Sequence, residues 1–309
     1  IGSGNAIFCN GANMAYRKDV FLEANNFESD DIASGDDVFF LHSVKSKYPD
    51  SIAFANDENA IVTTNSAQTI SGNRFSGYDA SSLAGSVVAK SGTIDGILNN
   101  PSSIAELQSN TISLGGGNLY GLSWLPNYNI LLFCKLPILG SVGFGYQDLS
   151  ISYMDTKLSK ENSLIISNGK FILNDMNSTV SIGWSINRMS WETSASSGIS
   201  GDGSDGVGEQ EISVYGINAG LQATLRNKYR MGVFIKNINS PTIGSGLSQQ
   251  ELLRRLDVGI AYLPIPDVST SLSISQQLGL KDMSVSGGFK YSINKFLLAV
   301  LKLFYIYLV

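Results

Sequence analysis

The chain has 309 residues and 15 % charged side chains, against roughly a quarter in a typical soluble globular protein; glycine, serine and asparagine fill the difference. This length allows one large or two ordinary domains, and the scarcity of charge weighs against a soluble enzyme and towards a sheet-rich, membrane-facing protein. The net charge of −5 lies wholly at the front, because residues 1–75 hold 10 acidic and 5 basic side chains and residues 76–309 hold 16 of each.

Two differently composed segments are therefore joined, and neither carries a basic patch that would suggest nucleic acid. Cys9 and Cys134 fall in different segments, which argues against a disulfide framework or a zinc cluster. His42 is the sole histidine, and no nucleophile-elbow spacing accompanies it. Residues 1–13 lack the charged start and apolar core of a signal peptide, so the reading is a fragment, a processed form or a product of joined reading frames. No run of about 20 apolar residues offers a spanning helix. The nearest, 296–309, is short and is expected to be a last apolar strand or an out-of-frame tail.

In chain order, Asp36 and Asp37 head an apolar-periodic stretch of Val38, Phe39, Leu41 and Val44 that predicts a helix. Carboxylates there gain from the helix dipole and from free N–H groups. The Gly11-Ala12-Asn13 segment, the Asn26-Phe27 turn and the Asp36-Asp37 pair together resemble the second half of a family 2 glycosyltransferase catalytic domain. The strand pair expected across 51–64 fits the same pattern. The resemblance covers about residues 1–70 and implies inverting transfer from a nucleotide sugar. Asp37 would be the general base on the acceptor hydroxyl, Asp36 its neighbour, and a divalent metal such as Mn or Mg the cofactor. Two carboxylates side by side raise one pKa and help base chemistry near neutral pH. The donor half with its Asp-x-Asp ligands does not precede Asp36 in this sequence, and no Gln-x-x-Arg-Trp follows Thr64. The fragment is accordingly expected to be inactive.

Composition shifts to Ser, Gly, Asn and Thr over 65–82, which marks a linker, and residues 71–110 form a linker with a compact plug-like piece. Small residues surround the turn at Asn100-Pro101, and a short helix with a Ser cap is expected after it. This stretch resembles the start of FadL-like and PorV-like outer-membrane barrels, in which an Asn-Pro turn follows a small-residue segment; here Ser102 stands where an Ala is usual.

Residues 111–309 alternate. Val142, Phe144 and Tyr146 share one face until the phase slips to Leu149, as a bulge would cause. Val180, Ile182, Trp184 and Ile186 form another apolar row. The clearest stretch is 213–236, where Tyr215, Ile217, Leu221 and Leu225 alternate with Asn218, Gln222 and Thr224 before a tight turn at Asn227. A side-chain period of two excludes a helix stripe. In a membrane barrel the first row meets lipid, and Asn218, Gln222 and Thr224 face the lumen. In a soluble sandwich the first row would face the core. Tight turns at Asn227 and Pro264, against long loops at 193–210 and 239–252, favour the membrane arrangement. Tyr120, Trp124, Tyr128, Tyr153, Trp191, Tyr215 and Tyr262 are candidates for interfacial girdles.

The expected fold is mainly β, an antiparallel membrane-type β-barrel of about 10–12 long strands preceded by a small, incomplete α/β glycosyltransferase-like fragment. The resemblance implies a bacterial outer-membrane location, a lipid bilayer as partner, and either passage of apolar solutes or anchoring of an export apparatus. A soluble β-rich binding module is the alternative.

Overall fold

A computed structural model describes residues 15–24, 36–52, 77–118, 123, 125–153, 156–195, 208–243, 250–265, 267–279, 283–292 and 298–308. Backbone contacts divide the chain into two units, one of 1–67, 150–160 and 191–211, the other of 68–149, 161–190 and 212–309.

In the first unit, helices α1 (Lys18–Ala24) and α2 (Asp36–Lys47) pack through Phe40 and Val44, with Val20, Phe21, Tyr48 and Ile52 around them. Tyr16, Phe21 and Phe40 stack or tilt against one another at 4.9–5.2 Å, the offset and edge-on arrangements that aromatic quadrupoles prefer. Glu23 ties the two helices by accepting from Lys47 at 3.1 Å and from the Tyr48 hydroxyl at 2.6 Å.

The second unit begins with segment 77–107, which holds two short helical turns, α3 (Tyr78–Ser82) and α4 (Gly96–Asn99), and a 3-10 turn over Pro101–Glu106. The strands follow as β1 (Thr111–Asn118), β2 (Pro126–Leu136), β3 (Gly140–Tyr153), β4 (Thr156–Asn174), β5 (Ser178–Thr193), β6 (Gln210–Leu225) and β7 (Tyr229–Lys236). After the two-residue strands β8 (Thr242–Ile243) and β9 (Gln250–Glu251) come β10 (Arg255–Ile265), β11 (Val268–Gln277), β12 (Met283–Ser292) and β13 (Leu298–Leu308). One 11-stranded sheet takes them in chain order, and β8 and β9 pair separately. The stretch read as a last strand or a tail is thus β13, antiparallel to β12.

Closure is the point where the expectation is corrected. Among the described residues β1 and β13 each pair on one side only, so the sheet is open and not a closed barrel. Eleven strands in antiparallel succession leave the first and last running the same way, so closure would take a parallel pair between β1 and β13.

The two faces of the sheet have opposite chemistry. In the β6–β7 hairpin, Leu221 pairs with Val233 and Ala223 with Met231 on one face, and Gln222 with Gly232 and Thr224 with Arg230 on the other. Leu221 and Met231 are exposed and Gln222 and Thr224 are buried. The same inversion holds for Ile182, Trp184 and Ile186 against Ser181 and Ser185 in β5, and for Leu272 and Ile274 against Ser271, Ser273 and Ser275 in β11. Ile217, Leu221, Val258 and Leu272 are 45, 44, 41 and 36 % exposed, and no second sheet layer covers them among the described residues.

Connection lengths segregate only in part. The links 137–139, 175–177, 226–228 and 266–267 at one end of the strands are short and 194–209 and 237–254 at the other end are long, but the link 154–155 at that second end is also short, and 278–282 and 293–297 at opposite ends are equal in length. Arg226 and Asn227 both take positive φ (53° each), and the Lys228 N–H donates to the Leu225 carbonyl at 3.1 Å. Two left-handed residues give the turn the twist that a tight hairpin requires. No bulge near Leu149 interrupts the β2–β3 pairing, which runs without a shift from Asn127↔Leu149 to Leu136↔Gly140. Leu149 instead falls on the inward phase with Gly143, Gly145 and Gln147, and is buried.

Candidate functional site

Segment 77–107 lies against the polar face of the sheet and fits there because that face is lined with glycine. A Cβ at Gly143 in β3 would come within 2.5 Å of Ile97, one at Gly183 in β5 within 2.3 Å of the Ser102 nitrogen, and one at Gly220 in β6 within 2.0 Å of Asn100. At Gly232 in β7 it would meet the Val88 carbonyl at 2.1 Å, and at Gly288 in β12 the Leu83 side chain at 2.8 Å. The segment thus touches strands from β3 to β12. Its apolar side chains form small clusters of their own: Ile97, Leu98 and Ile104 meet Leu131, Phe133 and Ile165 of the sheet, and Ala80, Leu83 and Val87 form a second.

The Asn100-Pro101 turn is the centre of this contact. Asn100 Nδ2 donates to the Val88 carbonyl at 2.8 Å, and its Oδ1 accepts from Ser102 N at 3.2 Å and Ser102 Oγ at 2.7 Å. Asn100, not a serine, is therefore the cap, and the element it caps is a 3-10 turn with Pro101 in its first turn. Proline suits that position because its missing N–H would have no partner there.

Asn218, Gln222 and Thr224, expected to face a lumen, are all buried on the polar face. Asn218 Nδ2 donates to Ser185 Oγ at 2.8 Å, and its Oδ1 accepts from Asn237 N at 2.9 Å. Gln222 Nε2 donates to the Ala89 carbonyl at 2.8 Å, and Thr224 Oγ1 reaches Glu106 Oε1 at 3.5 Å. Two of the three hold the inserted segment, and the third joins neighbouring strands.

Two charged clusters were not foreseen. Inside the segment, Asp79 accepts from the Lys90 ammonium and the Thr93 hydroxyl, while the Asp95 carboxylate accepts from Asp79 N at 2.6 Å. Burial pushes the Asp79 carboxyl up, but the Lys90 charge and the two hydrogen bonds outweigh it and hold the group below the usual carboxylate range. Asp95 has burial without a cation of its own and is pushed up to about 6. On the strands, Lys236, Arg255 and Asp257 are buried together. The available signal was position: Lys236 and Asp257 stand on the inward phase of their strands, beside Gly232 and Phe234 in β7 and Gly259 and Ala261 in β10.

Two cavities border the segment. One of about 160 Å³ is lined by Lys90, Arg230, Lys290, Asp267 and Ser271 among others. The second, of about 20 Å³, lies beside Arg255 and Asp257. Both fall below the roughly 300–1,000 Å³ of a drug-sized ligand site.

Asp36 and Asp37 occupy the first two positions of α2, but their side chains lie outside the described residues, as do Gly11 to Asn13 and residues 53–64. Of the aromatic candidates, Tyr128, Tyr215 and Tyr262 are exposed, and Tyr262 stacks on Tyr229 at 5.2 Å. Trp191 is buried, which removes it from the girdle. Tyr120 and Trp124, and the Tyr153 side chain, lie outside the described residues. No described helix is long and apolar enough to cross a membrane, and no group of His, Cys, Asp and Glu among the described residues could hold a metal ion. No family model matches the chain, and no curated protein matches it either.

Proposed function

We propose that this chain is an outer-membrane-type β-barrel protein, of the FadL-like or PorV-like kind, whose polar interior is occupied by segment 77–107. The observation that carries the reading is the inverted burial of the sheet. Apolar rows such as Ile217, Leu221, Val258 and Ile260 are exposed, while Asn218, Gln222, Ser273 and Ser275 are buried. In water such a sheet would expose its oily side and hide its polar one, the reverse of what the hydrophobic effect selects. In a bilayer the same arrangement satisfies both faces.

A bilayer also forbids open sheet edges, so the reading requires the free edges of β1 and β13 to be covered. Among the described residues the cavities beside the segment are small, so anchoring of an export apparatus would leave the segment in place. Passage of apolar solutes would require the inserted segment to move aside. In the transferase alternative Asp37 would be the base, and manganese-dependent binding of a nucleotide sugar by the whole chain is its test.

The decisive measurement uses Trp184, which is 47 % exposed on the apolar face. With Trp124 and Trp191 replaced by Phe and the chain reconstituted into vesicles, brominated acyl chains should quench Trp184 emission severalfold. The band should also shift on a gel when heated. Unquenched Trp184 in a chain that stays monodisperse without detergent would establish the soluble module instead.

A further inference from the structure

Lys236, the last residue of β7, stands directly opposite Arg255, the first of β10. The two are 7 % and 5 % exposed. Like charges facing each other across a strand pair are destabilising, and the cost rises when water is excluded. Among the described residues the carboxylate that faces them is Asp257. That group is already engaged: its Oδ2 accepts from Arg255 Nε at 3.0 Å and Nη2 at 2.9 Å, and its Oδ1 accepts from the Ser275 hydroxyl. Arg255 Nη1 is buried without a partner, and the Lys236 ammonium is in no ion pair among the described residues.

With both bases protonated, two cations share the one carboxylate that faces them among the described residues, leaving an excess of one positive charge and an unused Arg255 donor in a place closed to solvent. Beside Arg255 and Asp257 lies the cavity of about 20 Å³, walled by Ser273, Ser275, Ser284 and Ser286. A water molecule needs about 10–15 Å³ on this measure, so the space holds one small body. Water would satisfy a donor and leave the charge uncompensated. A monovalent anion does both. Phosphate or sulfate is too large.

We propose that this cavity is a halide site, in which one chloride is held by Arg255 Nη1 and the hydroxyls of Ser273, Ser284 and Ser286 as counter-ion to the Lys236–Arg255 pair. The inference stands on three buried charged side chains and an adjoining cavity, and is independent of the bilayer reading. Bound chloride would fix the β7–β10 seam where Val87 and Val88 of the inserted segment also line the cavity.

The test uses the full chain in detergent micelles, with unfolding followed in sodium chloride and in sodium gluconate at equal ionic strength. Chloride should raise the apparent Tm saturably, by roughly 2–3 °C at ten times its dissociation constant, and bromide should replace it. The ³⁵Cl line of the wild-type chain should broaden and be restored by bromide. Lys236→Met removes the surplus charge, so its Tm should become the same in both salts. Equal wild-type Tm in the two salts, unbroadened ³⁵Cl, or a Lys236→Met variant that keeps the full chloride dependence would each overturn the proposal.

Discussion

Gly232 shows how little room single residues on the polar face are allowed. Its missing side chain is replaced by the Val88 carbonyl, and backbone cannot step aside as a flexible side chain can. Gly232→Ala is expected to destabilise the fold by about 1–3 kcal/mol, the usual range for overpacking, or to unseat the segment outright. Gly117→Ala, where a Cβ would meet nothing within 4 Å, should leave the unfolding midpoint within error of the wild type. Arg226 is strained in another way, since a non-glycine residue at φ 53° carries the left-handed penalty. Arg226→Gly should raise stability by roughly 0.5–1 kcal/mol in denaturant unfolding. Asn227 should not be touched in that experiment, because it donates from N to the Asn177 carbonyl and from Nδ2 to the Met176 carbonyl.

Asp95 gives a pH dependence whose sign is fixed by the direction of its shift. Folding raises its pKa from 3.8 to about 6, so the folded chain holds this proton more tightly than the unfolded one. Its stabilising contribution is full below pH 4 and is lost as pH rises through about 6, a swing of about 2–3 kcal/mol. Asp95→Asn keeps an oxygen to accept from Asp79 N. It should flatten the stability profile between pH 4 and 6 and be the more stable form at pH 8. Asp79 responds the other way, its contribution being lost as pH falls through its depressed value. Asp79→Asn should therefore cost about 3–5 kcal/mol at neutral pH by leaving Lys90 buried and unpaired.

At the scale of elements, the β6–β7 hairpin carries the contrast between the two environments proposed for the apolar face. Leu221 sits mid-strand on that face, and an arginine there costs about 2–4 kcal/mol if it faces the bilayer midplane. Leu221→Arg is expected to lose that much in vesicle-based unfolding, and Leu221→Met almost none. The same arginine in water would be close to neutral, so the pair of variants reports the solvent of the face. The hairpin was also the most legible part of the sequence. Its period of two, its polar turn and its row of small residues all belong to neighbours a few positions apart. The turn at Asn100-Pro101 was legible for the same reason, although its cap was placed on a serine instead of Asn100. Leu149 was misread because it is apolar on an inward phase, where alternation alone prescribes a polar residue and only pairing with β2 fixes the direction.

At the scale of the whole chain, legibility fails wherever partners are far apart in sequence. No local pattern says that Gly232 must accommodate Val88, that Gly288 must accommodate Leu83, or that Lys236 will face Arg255. Strand count was close to the expectation of about 10–12, yet closure was not readable, because it depends on the pairing of the two most distant strands. Asp36 and Asp37 belong to a pattern whose partners in this chain are likewise remote or absent, so their setting at the head of α2 is the part of that reading the fold shows.

The inserted segment has a kinetic consequence. Gln222 reaches Ala89 across 133 positions and Ser86 reaches Ser273 across 187, so the contacts that hold the front of the segment cannot form until late strands arrive. Loop-closure entropy must be met before those contacts return anything. Assembly should therefore be slow and concerted, with early strands gaining little protection from hydrogen exchange until β10 to β12 have docked on a piece of chain synthesised well before them.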